Sequence, residues 1–478
     1  MRSVHYTSKA VRQGCVLVAM LAYLLWWHWI GNFPLDLSSD DALNFARGVE
    51  RFSVLEFRPH FPGYPAFVGF SRFAALWVEP NTAAIWVSLV SAALIPLVIV
   101  RLIFLCSYSL VAATIGGVLI LTQPLLASMA LSGLSDATAI LFLLLALVAA
   151  VQKQYWRTGA WLGLMLATRP SYVVLALATA MVPWWQGVHR KTGVKGVLQD
   201  YLKAGVVIII VGMICLVFIW AHDGVAYIDE GIRFTQGHFA IWGNTVEGND
   251  ATLRQWLMAL YRGFGLPLLV GFVLSLVGVI IAVKRQSTKI QDREAVFGEQ
   301  IESANLAALV SVAILYWMWI TIGQNPDNLR HWAPVLLLFI VVISAQLSVS
   351  SSYKKVQLAV ILTLVCYEGG RNLEILSSAL HQRQAPIQQA ITWIREQPQI
   401  KVVGTNYSVN LLRTQLKDRA VYDMFYPSSE RALQMYAQRE LNSAWRLSGV
   451  PLSGYKLQAQ FPPRFMGERR LFLYQISQ

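Results

Sequence analysis

The 478-residue chain carries 39 Lys and Arg against 26 Asp and Glu, a formal charge of +13, yet charged residues make up only 14% of it and apolar residues 56%. So little polar surface excludes an ordinary water-soluble globular fold, and lipid is the solvent that suits such a chain. The Lys and Arg lie in short segments between apolar runs, not in one patch or arm, so they read as membrane topology and not as nucleic-acid binding.

Taken in chain order, a basic stretch (Arg2, Lys9, Arg12) precedes an apolar run over 14–30 with no small-residue cleavage site behind it, which predicts a retained first helix. Further windows of about 20 apolar residues, the length that crosses a hydrocarbon core of about 30 Å, fall near 82–105, 108–130, 135–152, 204–221, 264–284, 304–323, 332–349 and 356–372. The apolar stretch over 158–186 is interrupted by Thr168-Arg169-Pro170-Ser171, where a charge and a proline are costly at mid-membrane. Either one kinked helix or two helices meeting at a turn fits it. Two helices put all the basic loops (153–157, 189–203, 284–293 and 353–355) on the face of the N-terminus, as the positive-inside rule requires. The prediction is therefore a mainly α, polytopic helical bundle of about eleven spans, with the N-terminus cytoplasmic and the C-terminus outside. The external face then carries 34–81, the turn at 132–136, Arg169-Pro170, 222–262 and 324–331.

The segment 34–81 is too long for an ordinary connector. Ala42, Phe45, Ala46 and Val49 at helical spacing, then Val68, Phe73 and Leu76, predict short amphipathic helices along the membrane surface. The region 222–262 is similar, with Tyr227, Phe234, Phe239, Trp242 and Trp256 suited to the interface. Its His238, between Gly237 and Phe239, fits either an interfacial aromatic loop or a sugar-stacking one, and stays outside the catalytic set.

After Gly369 the composition becomes that of a soluble unit. Helices over 388–394 and 410–416 alternate with strands over 401–405 and 420–424, and 469–476 closes a small sheet, a βαβ pattern. The domains expected are a membrane catalytic domain over 1–373 and a small α/β extracytoplasmic domain over 374–478. No glycine-rich phosphate loop follows the tail strands, so nucleotide binding finds no support. Cys15, Cys106, Cys215 and Cys366 show neither C-x-x-C spacing nor a neighbouring His cluster, which argues against disulfides and zinc.

Several ionisable residues lie at the membrane boundary, where they are costly unless used or solvated. Asp40-Asp41 opens a surface helix and Asp136 opens the fourth span; each also fits a helix cap. His60-Phe61-Pro62-Gly63-Tyr64-Pro65 also fits a plain turn, Arg169 a snorkelling arginine, and Arg330-His331 a helix-end pair. The topology nevertheless gathers two acidic sites, two arginines and a His-containing loop on one face. Such a set suits transfer from a lipid-phosphate donor, with a carboxylate as general base and arginines on the departing phosphate.

In this order the motifs resemble the GT-C superfamily of polyprenyl-phosphate-dependent glycosyltransferases, in the bacterial branch related to protein O-mannosyltransferases and aminoarabinose transferases. The resemblance runs from Asp40-Asp41 through His60 to Pro65, Ser135-Asp136 and Arg169-Pro170 to Arg330-His331-Trp332, and covers the chain to about residue 350. Phe61 stands where the family pattern has a first Pro, Arg169 where a Lys is common, and His331 where a Tyr is usual.

The resemblance implies an inverting transfer of a sugar from a polyprenyl phosphate to a lipid, glycan or protein acceptor, on the outer face of a bacterial cytoplasmic membrane. Asp40 would be the general base with Asp41 as understudy. Arg169 and Arg330 would bind the donor phosphate, His60, Tyr64 and Asp136 would shape the substrate site, and no metal cofactor is expected. The rival is a transporter or flippase of lipid-linked sugars, which would place its ionisable residues near the bilayer midplane and show internal repeats.

Overall fold

The computed structural model describes residues 8–190, 193–242, 245–246, 249–288, 293–326, 328–347, 354–440, 443–465 and 467–476. The first helix, α1 (Lys9–Ile30), is followed by a segment that stays close to the bundle and carries α2 (Asp40–Glu50) and α3 (Pro65–Ala74). The apolar spacing read from the sequence is the buried face of α2: Ala42, Leu43, Phe45, Ala46 and Val49 all turn inward. Ser39 caps this helix, its hydroxyl accepting from the Ala42 amide at 3.2 Å. Of the later apolar positions Val68 is buried, while Phe73 and Leu76 are exposed on the outer surface.

The bundle continues with α4 (Pro80–Ser107), α5 (Leu110–Leu121), α6 (Pro124–Ala130), α7 (Asp136–Val151) and α8 (Tyr155–Thr168). Helix α8 stops at Arg169, whose φ of −151° is the extended backbone imposed by the proline that follows. A 3-10 turn (Pro170–Tyr172), α9 (Val173–Thr179) and α10 (Met181–Arg190) then run back beside α8. The Tyr155 hydroxyl, at the start of α8, donates to Gln186 Oε1 near the end of α10 at 3.0 Å. The apolar stretch over 158–186 is therefore a hairpin, the second of the two readings the sequence allowed.

Next come α11 (Gly193–Asp223), α12 (Ala226–Trp242), a two-residue ladder of β1 (Thr245–Val246) with β2 (Asn249–Asp250), α13 (Leu253–Thr288) and α14 (Arg293–Gly323). A 3-10 turn (Leu329–Trp332), α15 (Ala333–Gln346) and α16 (Lys354–Ala379) complete the bundle. Tyr353 of the last basic loop, and the side chain of His238, lie outside the described residues.

All eleven apolar segments read from the sequence fall on helices, but not all meet the measure of a span. Seven helices are long and apolar enough to cross a membrane, or eight if α5 and α6, bent by 62° at Thr122-Gln123, count as one. At 1.5 Å per residue the 16-residue α7 extends only about 24 Å and α8 less, short of a core of about 30 Å. Glu368, Arg371 and Glu374 interrupt the apolar run of α16. Among the described residues seven or eight helices therefore have the length and composition of a full span, where about eleven were expected.

The tail has α17 (Pro386–Arg395), β3 (Val402–Thr405), α18 (Val409–Gln415), β4 (Ala420–Asp423), α19 (Pro427–Arg439), β5 (Ala444–Ser448), β6 (Lys456–Phe461) and β7 (Leu471–Gln475). The five tail strands form one sheet in the order β4-β3-β5-β7-β6. β3 pairs in parallel with both β4 (Val402 opposite Ala420) and β5 (Val402 opposite Ala444), while β7 is antiparallel to its two neighbours. Ile387, Ala390, Ile391 and Ile394 of α17 share one hydrophobic cluster with Leu37, Ala42 and Leu43. The surface helix that opens with the acidic pair therefore sits between the bundle and the sheet.

Candidate active site

Four chain segments converge on one polar cleft. Asp136 opens α7, where a carboxylate suits the helix dipole. Arg169 projects from the break after α8, and its Nη1 lies 3.2 Å from Asp136 Oδ2. Both side chains are buried, at 9% and 1% exposure, so the pair is desolvated and tightly held. Arg169 also donates toward the Ser135 hydroxyl at 3.4 Å and lies 5.3 Å over the Tyr172 ring.

Arg330 comes from the 3-10 turn before α15. That turn is anchored by Trp332, fully buried against Phe264 at 5.6 Å, Trp256 at 5.8 Å and Trp317 at 6.4 Å between ring centroids. Arg330 Nη1 is 4.0 Å from Asp136 Oδ2 and its Nη2 is 3.7 Å from Asp41 Oδ2. The neighbouring His331 faces another partner, accepting at Nε2 from the Asn328 amide at 3.0 Å.

His60 closes the cleft from the loop between α2 and α3. Its Nδ1 is 3.8 Å from Asp41 Oδ1 and its Nε2 shares a hydrogen bond of 3.1 Å with the Tyr64 hydroxyl. The ring sits in an aromatic cage of Phe45, Tyr64 and Phe234, with Phe234 stacked at 5.8 Å. The turn beneath it needs its glycine: Gly63 has φ +97°, and a Cβ there would meet Val54 Cγ2 at 2.9 Å. Asp223, at the end of α11, fastens the preceding segment by accepting from Ser53 Oγ and the Val54 amide, both at 2.7 Å. Tyr227 adds a bond from its hydroxyl to the Pro62 carbonyl at 3.3 Å.

The two acids of the pair part company. Successive helical residues point about 100° apart, and here Asp41 faces Arg330 and His60 while Asp40 faces the tail. Asp40 Oδ1 accepts from the Leu411 amide at 2.8 Å and Oδ2 from the Asn410 amide at 3.2 Å. Asp41 therefore faces the cleft, while Asp40, expected to lead as base, is bonded to the first turn of α18.

Electrostatics follow the same division. Burial pushes the Asp41 carboxyl up, but His60, Arg330 and Arg169 together outweigh it and hold it below the usual carboxylate range. Burial, aided by the two arginines and opposed by Asp41, pushes His60 below its ordinary value, so the arginines are the permanent charges that keep Asp41 ionised. Burial raises Tyr64 to about 12, which keeps it a neutral donor. Asp40 is raised by burial, against the pull of its two amide bonds.

The structure brings Asp41, His60, Tyr64, Asp136, Arg169 and Arg330 together and sends Asp40 elsewhere. Sequence reasoning missed Tyr172 beneath Arg169, Tyr316, which meets it edge to face at 5.9 Å, and Asp223. Tyr172 was signalled only by standing three residues after Arg169. Among the described residues no three His, Cys, Asp or Glu side chains group to hold a metal ion. The carboxylates are instead each met by guanidinium.

No family model matches the sequence, and no curated protein matches it. Solved structures do. The chain is similar to ArnT from Cupriavidus metallidurans bound to undecaprenyl phosphate, with a TM-score of 0.56 at 12% identity over 96% of this chain and 97% of that one. Apo ArnT gives 0.55 at 13% identity, over 97% and 98%. The archaeal oligosaccharyltransferase AglB from Archaeoglobus fulgidus, in complex with an inhibitory peptide and a dolichol-phosphate, gives 0.51 at 11% identity, over 92% and 70%. The chain has a GT-C-like fold. Identities this low speak to the fold alone, and within the GT-C-like fold it is the cleft that must argue for chemistry.

Proposed function

We propose that the protein is a membrane glycosyltransferase that moves a sugar from a polyprenyl-phosphate donor to an acceptor hydroxyl, with inversion. The observation that carries this reading is the Asp41–Arg330–Asp136–Arg169 constellation, in which one carboxylate remains open: the Asp41 side chain is 41% exposed and that of Asp136 is 1%. An accessible ionised carboxylate beside two fixed cations is the equipment for deprotonating one group while stabilising a departing anion. Its setting in a GT-C-like fold, whose solved neighbours include proteins bound to undecaprenyl phosphate and dolichol-phosphate, supports the donor class.

Asp41 accepts the proton of the acceptor hydroxyl. The resulting oxygen attacks the anomeric carbon from the face opposite the phosphate, the bond from carbon to phosphate oxygen breaks, and the polyprenyl phosphate leaves with the electron pair. Arg330 and Arg169 stabilise its charge, Asp136 holds both guanidiniums in place, and Tyr64 and His60 wall the acceptor side. The positive-inside distribution of the basic loops supports a cytoplasmic N-terminus, with the cleft and tail on the outer face of a bacterial inner membrane.

The test supplies the purified protein, in vesicles, with a panel of synthetic polyprenyl-phosphate sugars labelled in the sugar, together with membrane lipid, glycan and protein acceptors. The expected result is acceptor-dependent release of polyprenyl phosphate with the label moved to the acceptor. Passage of intact lipid-linked sugar across the bilayer without cleavage would instead establish the transporter reading.

A further inference from the structure

The first acid of the pair makes a contact that the reaction does not need. Asp40 binds two consecutive amides, of Asn410 and Leu411, from 370 residues away in sequence. These amides open α18, whose own N-cap, Ser408, makes no side-chain cap bond and has φ +51°. Asp40 thus caps a helix of the tail in trans. About two turns further along α2, Arg47 donates to the Thr414 hydroxyl at 3.0 Å, so the two helices are fastened at both ends of their contact.

The loop so fastened carries Tyr407. Thr405 Oγ1 accepts from the Tyr407 amide at 3.0 Å and donates to the Tyr407 carbonyl at 3.1 Å, which fixes the backbone at this residue. The ring packs on the cluster shared by α2, the turn at Phe61 and Tyr64, and the sheet. Burial raises its phenol, with weaker influences from Arg469, Glu468, Arg330 and Asp40 in turn.

We infer that Asp40 is a positioning residue that latches the tail loop 405–411 over the cleft, and that Tyr407 thereby becomes part of the wall that binds the phosphate of the lipid ligand. The identity of that ligand rests on the function proposed above; the latch does not. Because Asp40 and Asp41 are adjacent on one helix, docking of the tail also fixes the helix turn that presents Asp41. The tail is then a component of the site.

The experiment uses the full chain in lipid nanodiscs, with undecaprenyl phosphate as the probe. Hydrogen exchange across 406–416 is expected to rise in Asp40→Asn and further in Asp40→Ala, and to stay at the wild-type level in Asp41→Asn, which breaks no contact to the tail. Tyr407→Phe is expected to leave exchange unchanged and to weaken undecaprenyl phosphate binding about tenfold, the loss of one hydrogen bond to a charged group. In the transfer assay it raises KM for the lipid donor and leaves kcat within about twofold, a split that a general loss of structure would not produce. Unchanged exchange in both Asp40 variants overturns the latch, and wild-type affinity in Tyr407→Phe overturns the wall. If the wild type binds no polyprenyl phosphate, the proposed function fails and the role of Tyr407 with it, while the exchange difference still decides the latch.

Discussion

The Arg330 guanidinium lies 3.7 Å from the Asp41 carboxylate, close enough to govern its charge and far enough to leave its oxygens open to a substrate. With His60 and Arg169 it offsets the burial that would otherwise raise the carboxyl. Arg330→Gln removes one of these cations, so Asp41 rises, and the acid limb of the kcat/KM profile moves to higher pH than in the wild type. The same substitution removes a donor to the departing phosphate and lowers kcat by about 100- to 1,000-fold. A pH–rate profile of both proteins checks the pair of effects, and an unmoved acid limb would detach Arg330 from Asp41.

Asp136 and Arg169 are a desolvated pair, and removing one partner leaves the other charged and buried. Asp136→Asn should destabilise the protein by about 3–5 kcal/mol, seen as a lowered melting temperature in detergent. The double variant Asp136→Asn/Arg169→Met should recover much of that loss while remaining inactive. An additive double variant would show that the two do not act as a pair.

His60 sets a pH dependence of stability whose sign is fixed. Its folded-state value is depressed below the unfolded value of about 6.5, chiefly by burial. As pH falls through the unfolded value, the unfolded chain takes up a proton that the folded chain does not, so stability present at higher pH is lost. The wild-type melting temperature should therefore drop more steeply below pH 6.5 than that of His60→Gln. Parallel curves would mean that His60 is not held neutral in the cleft.

Gly63→Ala places a Cβ 2.9 Å from Val54 at a residue with φ +97°. About 1–3 kcal/mol of strain is expected, and because this turn carries His60 and Tyr64, transfer activity should fall with it. Ala at Gly69, where nothing lies within 4 Å, is the control and should change neither.

What the sequence revealed follows the physics of each signal. The break at Arg169-Pro170 was legible because a charge and a proline inside an apolar run have few tolerable placements, and the basic loops chose the hairpin over one kinked helix. The amphipathic α2 and the β3-α18-β4 unit were legible from local periodicity. The roles of Asp40 and Asp41 were not, since both residues fit the first turn of a helix and only contacts to Asn410, Leu411, His60 and Arg330 separate them. Asp223 was hidden for the same reason, its partners Ser53 and Val54 lying about 170 residues away. The strand β6 is an edge strand and was missed although Leu457, Ala459 and Phe461 alternate with Lys456, Gln458 and Gln460.

The central claim is that Asp41, and not Asp40, is the general base. Steady-state transfer by Asp41→Asn and Asp40→Asn, measured side by side with a polyprenyl-phosphate sugar at saturating acceptor, tests it most directly. The account predicts that Asp41→Asn lowers kcat by about 100- to 10,000-fold with little change in KM, while Asp40→Asn keeps most of kcat and loses affinity. An inactive Asp40→Asn beside a near-normal Asp41→Asn would contradict it.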